Sequence, residues 1–177
     1  MPKGDFNNYA SPKIETKRFK IYTDVSDSET PTWELQGRGV ESWSVEEGAD
    51  VTKTTDVLGM VDMERAEAQP TQSGVSLKLR KDSKLGKMLF DAWYSRDMSK
   101  LNAMKFLQKF EFADGATDGT CLARLEEDVM ISINNFTGEA GSYLGFDIDI
   151  NYANKTTLGT MPITDGATIT FTADSAA

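Results

Sequence analysis

A chain of 177 residues with 39% apolar and 27% charged residues has the size and balance of one water-soluble domain, able to bury about 70% of its unfolded surface. The formal charge of −9 and the complete lack of histidine argue against counterion-release binding to nucleic acid and exclude Ser-His, Cys-His and His-zinc chemistry. Cys121 stands alone, so no intrachain disulfide forms, and no segment approaches the roughly 18 consecutive apolar residues of a membrane span.

No leader is expected at the start, where Met1 to Asn8 lacks an apolar stretch behind a basic head. With one cysteine and a reducing compartment expected, the triplets Asn135-Phe136-Thr137 and Asn154-Lys155-Thr156 are expected to carry no sugar. Residues 1–15 are polar and pattern-free, a flexible arm before one domain spanning 16–173 and a short tail, 174–177. Strands are predicted over Thr16 to Thr23, Thr32 to Gln36 and Val40 to Glu46, separated by the turn-rich Asp24 to Pro31 and by Gly37-Arg38-Gly39.

Residues 47–73 have no core period, yet they are too long for a plain connection. Their apolar stretch Val57, Leu58, Gly59, Met60, Val61 is rimmed by charges that include Asp62, Glu64 and Arg65. Such a tip fits a partner contact, or a loop folded back over one end of its own sheet. Val75, Leu77 and Leu79 alternate as a strand. A helix is predicted over 83–96, because Leu85, Met88, Leu89, Ala92 and Trp93 fall on one stripe behind a capping Asp82 or Ser83. Phe90 and Tyr94 flank that stripe, where they thicken the core, the reading favoured, or reach a neighbouring subunit.

Phe106, Phe110 and Phe112 share a strand face, and Asp114-Gly115 and Asp118-Gly119 bracket a hairpin turn into Thr120 to Glu126. Val129, Ile131 and Ile133 alternate next, followed by a break at Asn134 to Gly141. Ser142 to Tyr152 has the cleanest alternation, with Leu144, Phe146, Ile148 and Ile150 inward and Asp147 and Asp149 outward. Thr157 to Thr164 and Ala167 to Ala173 pair across Asp165-Gly166. Many short strands with one helix predict a mainly β fold, a two-sheet sandwich or barrel with a flanking helix and one long inter-strand loop.

Catalytic chemistry finds little support. Asp147 and Asp149 sit on one wet strand face, whereas glycosidase carboxylates oppose each other across a sugar. With Asp114 and Asp118 they offer oxygens for calcium, but the ordered ligands of an EF-hand loop are missing. No P-loop, dinucleotide fingerprint or nucleophile elbow occurs, and a strand-borne Cys121 reads as an inert thiol. No enzymatic activity, metal or cofactor is expected.

The order of parts resembles the tail tube (major tail) proteins of long-tailed bacteriophages. The likeness runs from about Thr16 to Pro162: Gly37-Arg38-Gly39-Val40-Glu41-Ser42-Trp43-Ser44-Val45, the long polar loop, Val75-Ser76-Leu77-Lys78-Leu79, the helix from Ser83 to Tyr94, a Phe-rich strand with an Asp-Gly turn, the strand Tyr143 to Tyr152, and Leu158-Gly159-Thr160-Met161-Pro162. What the resemblance implies is a homo-hexameric ring, stacked into the conduit for genome delivery within a virion tail that is assembled in the host bacterial cytoplasm. In that family the loop after the third strand reaches the adjacent ring, which gives Val57, Leu58, Met60, Val61, Asp62, Glu64 and Arg65 an inter-ring role. Tail terminator, tape-measure and distal tail proteins are the further partners expected, with no membrane. DNA passes an acidic wall, to which Asp147 and Asp149 contribute, without specific binding. Leu85, Met88, Leu89 and Trp93 pack the helix. The alternative is a carbohydrate- or receptor-binding β-sandwich module, against which stands the scatter of Trp33, Trp43 and Trp93 over separate elements.

Overall fold

The fold is built around a strand whose two faces are both buried. Strand β6 (Met104–Asp114) turns Phe106 and Gln108 to one side and Leu107, Lys109 and Glu111 to the other, and all five are buried. In the computed structural model the described residues are Phe6, 13–27, 30–37, Val40, 44–48, 51–55, 57–65, 69–138, 140–166 and 168–174, without the side chains of 51–53 and 62–65. Among them the chain is mainly β with one α-helix. The strands before β6 are β1 (Phe19–Asp24), β2 (Trp33–Leu35), β3 (Val51–Thr55), β4 (Val61–Arg65) and β5 (Thr71–Lys78); after it come β7 (Thr120–Thr137), β8 (Gly145–Asn151), β9 (Lys155–Pro162) and β10 (Thr172–Ala173). The helix α1 (Lys84–Ser95) lies between β5 and β6.

All pairings are antiparallel. A larger sheet runs β10-β9-β7-β6-β1-β2, and a smaller one joins β5, β8 and β7. Strand β7 belongs to both. Its first part pairs with β9 from Thr120↔Pro162 to Glu127↔Lys155, and its second part pairs with β8 from Met130↔Asn151 to Thr137↔Gly145. The corner falls at Asp128, in left-handed backbone with φ 56°, which is how a strand changes sheets in a sandwich. The sequence pattern predicts two elements here, Thr120 to Glu126 and the alternation from Val129.

The main core lies between the sheets, where Ile21, Phe106, Val129, Phe146, Ile148 and Ile150 meet Leu85, Leu89 and Ala92 of the helix. A second, smaller core lies on the opposite face of the larger sheet: Tyr22, Leu107, Cys121, Ala123 and Met161, with Ile163, Ile169 and Phe171 of the C-terminal segment laid over them.

Three expectations are corrected. The predicted loop 47–73 contains the ladder β3–β4, from Val51↔Arg65 to Thr55↔Val61, and β5 already begins at Thr71. Leu144, expected inside, precedes β8 and is 55% exposed. Among the described residues of the predicted last strand, only Thr172 and Ala173 are in a ladder. The expected arm and tail lie outside the described residues except for Phe6, 13–15 and Asp174. Phe6 bridges Ala113, and its ring centroid is 5.7 Å from that of Phe112. Trp43 also lies outside the described residues.

Candidate functional site

The β3–β4 hairpin has no third strand among the described residues, and a lone two-stranded ribbon is marginal in water. It joins the body where Glu46 and Thr71 exchange two backbone hydrogen bonds of 2.8 Å. At its tip, where Gly59 takes φ 76°, Val57 is fully exposed, Leu58 is 82%, Met60 68% and Val61 51% exposed. Four apolar side chains are therefore largely exposed at the tip of the hairpin. Asp62, Glu64 and Arg65 have their backbones in β4, while their side chains lie outside the described residues.

The helix is positioned from two directions. Leu85 and Leu89 are buried, Met88 and Trp93 are half-buried against the main core, and the Trp93 ring centroid is 4.6 Å from that of Phe136. Ser83 is the N-cap, its Oγ accepting from the Gly86 N–H at 2.9 Å. A carboxylate from β2 completes the cap: Glu34 accepts from Ser83 Oγ (2.7 Å), the Lys84 N–H (2.8 Å) and the Leu85 N–H (3.0 Å). This satisfies the amide groups that a helix start leaves unpaired. Phe90 and Tyr94, expected in the core, instead stack on each other at the surface with centroids 6.0 Å apart.

Asp147 and Asp149 lie on the outward face of the smaller sheet, across from Ser76 and Ser132. They are not equivalent. Asp149 Oδ1 accepts from the Gly74 N–H at 2.8 Å, at the point where β5 is irregular and Gly74 takes φ 65°. Hydrogen bonds from the Asn134 side chain and from this N–H hold its carboxyl below the usual carboxylate range. Asp149 therefore braces a β-bulge.

The largest departure from sequence reasoning is a charge cluster under the C-terminal segment. The Lys109 side chain is 1% exposed, and its Nζ donates to Asp165 Oδ1 (2.6 Å), the Ile163 carbonyl (2.9 Å) and Glu111 Oε1 (3.1 Å). All three ammonium protons thus have acceptors. Lys20 bridges Glu111 (2.7 Å) and Asp165, and the Tyr22 hydroxyl is 3.3 Å from Asp165. Burial works against ionisation of Asp165, but hydrogen bonds from Lys109 and Lys20 outweigh it and bring its pKa down to about 2. Burial likewise disfavours the charged Lys20, yet Asp165 and Glu111 keep its ammonium above the ordinary lysine range. Beside them Cys121 is fully buried, and burial pushes its thiol up to about 11, which makes it a poor nucleophile. Among the described residues no three His, Cys, Asp or Glu gather as a metal site.

No family model matches the chain, and no curated protein matches it. Solved structures do. A chain of the sheath-tube complex of an extracellular contractile injection system (PVC) in the extended state aligns over 84% of this chain and 93% of its own, at 12% identity and TM-score 0.51. A chain of the sheath/tube terminator of the same system aligns over 85% and 99%, at 13% identity and TM-score 0.52. A chain of the anti-feeding prophage tube terminating cap aligns over 87% and 95%, at 11% identity and TM-score 0.50. This chain shares their fold. The likeness spans nearly the whole of each matched chain. The matched particles are contractile injection systems, whereas the residue pattern resembles tube proteins of long-tailed phages.

Proposed function

We propose that this chain is a non-enzymatic structural subunit of a phage-type tail tube, forming hexameric rings that stack into a conduit for genome delivery. The exposed apolar tip of the β3–β4 hairpin carries the reading, since a ribbon bearing Val57, Leu58, Met60 and Val61 in water is stabilised when an adjacent ring buries it. The fold shared with chains of tube-bearing particles supports it. Terminator, tape-measure and distal tail proteins are the partners at the ends and inside such a tube, and the virion tail is its location.

Ring closure needs edges. The larger sheet ends in β2 and β10, three and two residues long, and short edges of this kind keep a free subunit from premature pairing. Closing the ring through the two ends of this sheet turns the larger sheet to the lumen and leaves Asp147 and Asp149 outside. The sequence-based expectation of a lumen lined by Asp147 and Asp149 requires the smaller sheet there instead. Negative-stain microscopy of the concentrated protein tests the main proposal: rings or tubes are expected, and a strict monomer that binds glycans would point to the binding-module alternative. Charge reversal at Asp147, described below, separates the two lumen assignments.

A further inference from the structure

The C-terminal segment holds the β9 edge by little regular structure and one carboxylate. Of residues 163–171, none that is described lies in a helix or strand. Along β9 the segment pairs only Thr172 with Thr160 and Ala173 with Gly159, and the Asp174 N–H donates to the Leu158 carbonyl at 2.9 Å. Gly159 is fitted to it: a Cβ there would lie 2.7 Å from the Phe171 ring and against the Thr172 carbonyl. Below, Ile163, Ile169 and Phe171 cover the small second core, and Asp165 reaches Lys20 and Lys109. The two ends of this clamp differ in access, since the Lys109 side chain is 1% exposed and that of Asp165 is 45% exposed.

We propose that residues 163–174 form a releasable strap, latched by Asp165, which occupies the β9 edge that pairs with a second copy of this chain on assembly. The identity of the partner rests on the tube-subunit reading. Strand β9 is eight residues long, while the strap pairs with only two of them in a ladder. A strand from a second copy can therefore replace the strap with a longer run of backbone hydrogen bonds on the same edge. Until then the strap prevents open-edge pairing. The latch is electrostatic, because lifting the strap takes Asp165 and the Ile163 carbonyl away from Lys109 Nζ and leaves that ammonium with the Glu111 carboxylate in place of two carboxylates and a carbonyl.

Cys121 reports the opening. It is the only cysteine, fully buried in the apolar cluster beneath the strap, so its reaction with a thiol reagent under native conditions measures lifting. Asp165→Asn, which removes the latch charge, and Phe171→Ala, which loosens the apolar side without touching the charges, are each expected to label about tenfold faster or more, with the main melting transition retained. Asp165→Glu restores protection. Both opening variants are expected to form tubes at a lower protein concentration than the parent. Unchanged labelling in both variants refutes the latch. Faster labelling with an unshifted onset of tube formation refutes the occupied edge while leaving the tube reading intact. A parent and variants that all stay monomeric at every concentration remove the tube reading and the occupied edge together. If Asp165→Asn fails to fold, Phe171→Ala decides.

Discussion

Glu34→Ala isolates a contact that ties the edge of the larger sheet to the helix. One carboxylate there accepts from Ser83 Oγ and from the Lys84 and Leu85 amides at 2.7, 2.8 and 3.0 Å. Loss of a helix cap costs about 0.5–2 kcal/mol, and hydrogen bonds to a charged group are worth about 1.5–3 kcal/mol. The Lys84 amide is at the surface and regains water, whereas Leu85 is 3% exposed, so a net cost of about 2 kcal/mol is expected. For a chain of this length that lowers the melting temperature by about 4–8 °C. Glu34→Gln keeps an acceptor but loses the charge at the positive end of the helix dipole, and about half the effect is expected. Circular dichroism melting is the assay. A Glu34→Ala protein melting within about 1 °C of the parent would show that the cap contributes nothing measurable and that Ser83 alone suffices.

Replacing Val57, Leu58 and Met60 together by Ser is expected to leave a folded monomer with an unchanged melting temperature that no longer forms tubes, measured by microscopy and sedimentation. Trp93→Ala is expected to cost about 2–3 kcal/mol in denaturant unfolding, below the range for a fully buried Trp because the ring is only half-buried against Phe136 and Phe146. Asp147→Lys is expected to fold, assemble and eject DNA at the parental rate, and slowed ejection would return this face to the lumen; Asp149→Lys is expected to destabilise by about 1 kcal/mol through the lost Gly74 contact. The Asp165 carboxyl is depressed from 3.8 to about 2, so the stability it contributes is complete above about pH 4 and is lost as pH falls through about 2. Labelling of Cys121 with an acid-tolerant disulfide reagent is expected to accelerate across that window.

The helix and β8 are legible in the sequence because each buries one face against one core. Leu85 and Leu89 recur with helical spacing behind a capping Ser83, and Phe146, Ile148 and Ile150 recur with strand spacing. The β3–β4 hairpin escapes the same reasoning because the sequence of residues 47–73 shows no sustained apolar period from which Val51–Thr55 and Val61–Arg65 could be read as strands. Its apolar tip is visible in the sequence, and the structure leaves Val57, Leu58, Met60 and Val61 exposed. Lys109 and Glu111 mislead in the opposite way: alternation assigns them to water, yet Asp165, 56 positions beyond Lys109, brings a segment over them. Glu34 reaches the helix across 50 positions. Such pairings depend on where distant segments meet, which local periodicity does not encode.

The two elements proposed for assembly share one root in the backbone. Thr71, which anchors the hairpin to Glu46, is in register with Asn151 of β8, and Asn151 is in register with Met130 of β7. Three positions back along β7 from Met130, past the Asp128 corner, Glu127 pairs with Lys155, the first residue of β9. The intervening turn is held as well, since the Tyr152 N–H donates to the Pro70 carbonyl at 3.0 Å. Pro70 and Thr71, at the foot of the ribbon, and the start of the strap-covered edge are thus connected by backbone hydrogen bonds. A ring that captures the hairpin tip fixes Thr71 and Pro70, and through Asn151 and Tyr152 it fixes the start of β9, the edge on which the strap and a second copy compete.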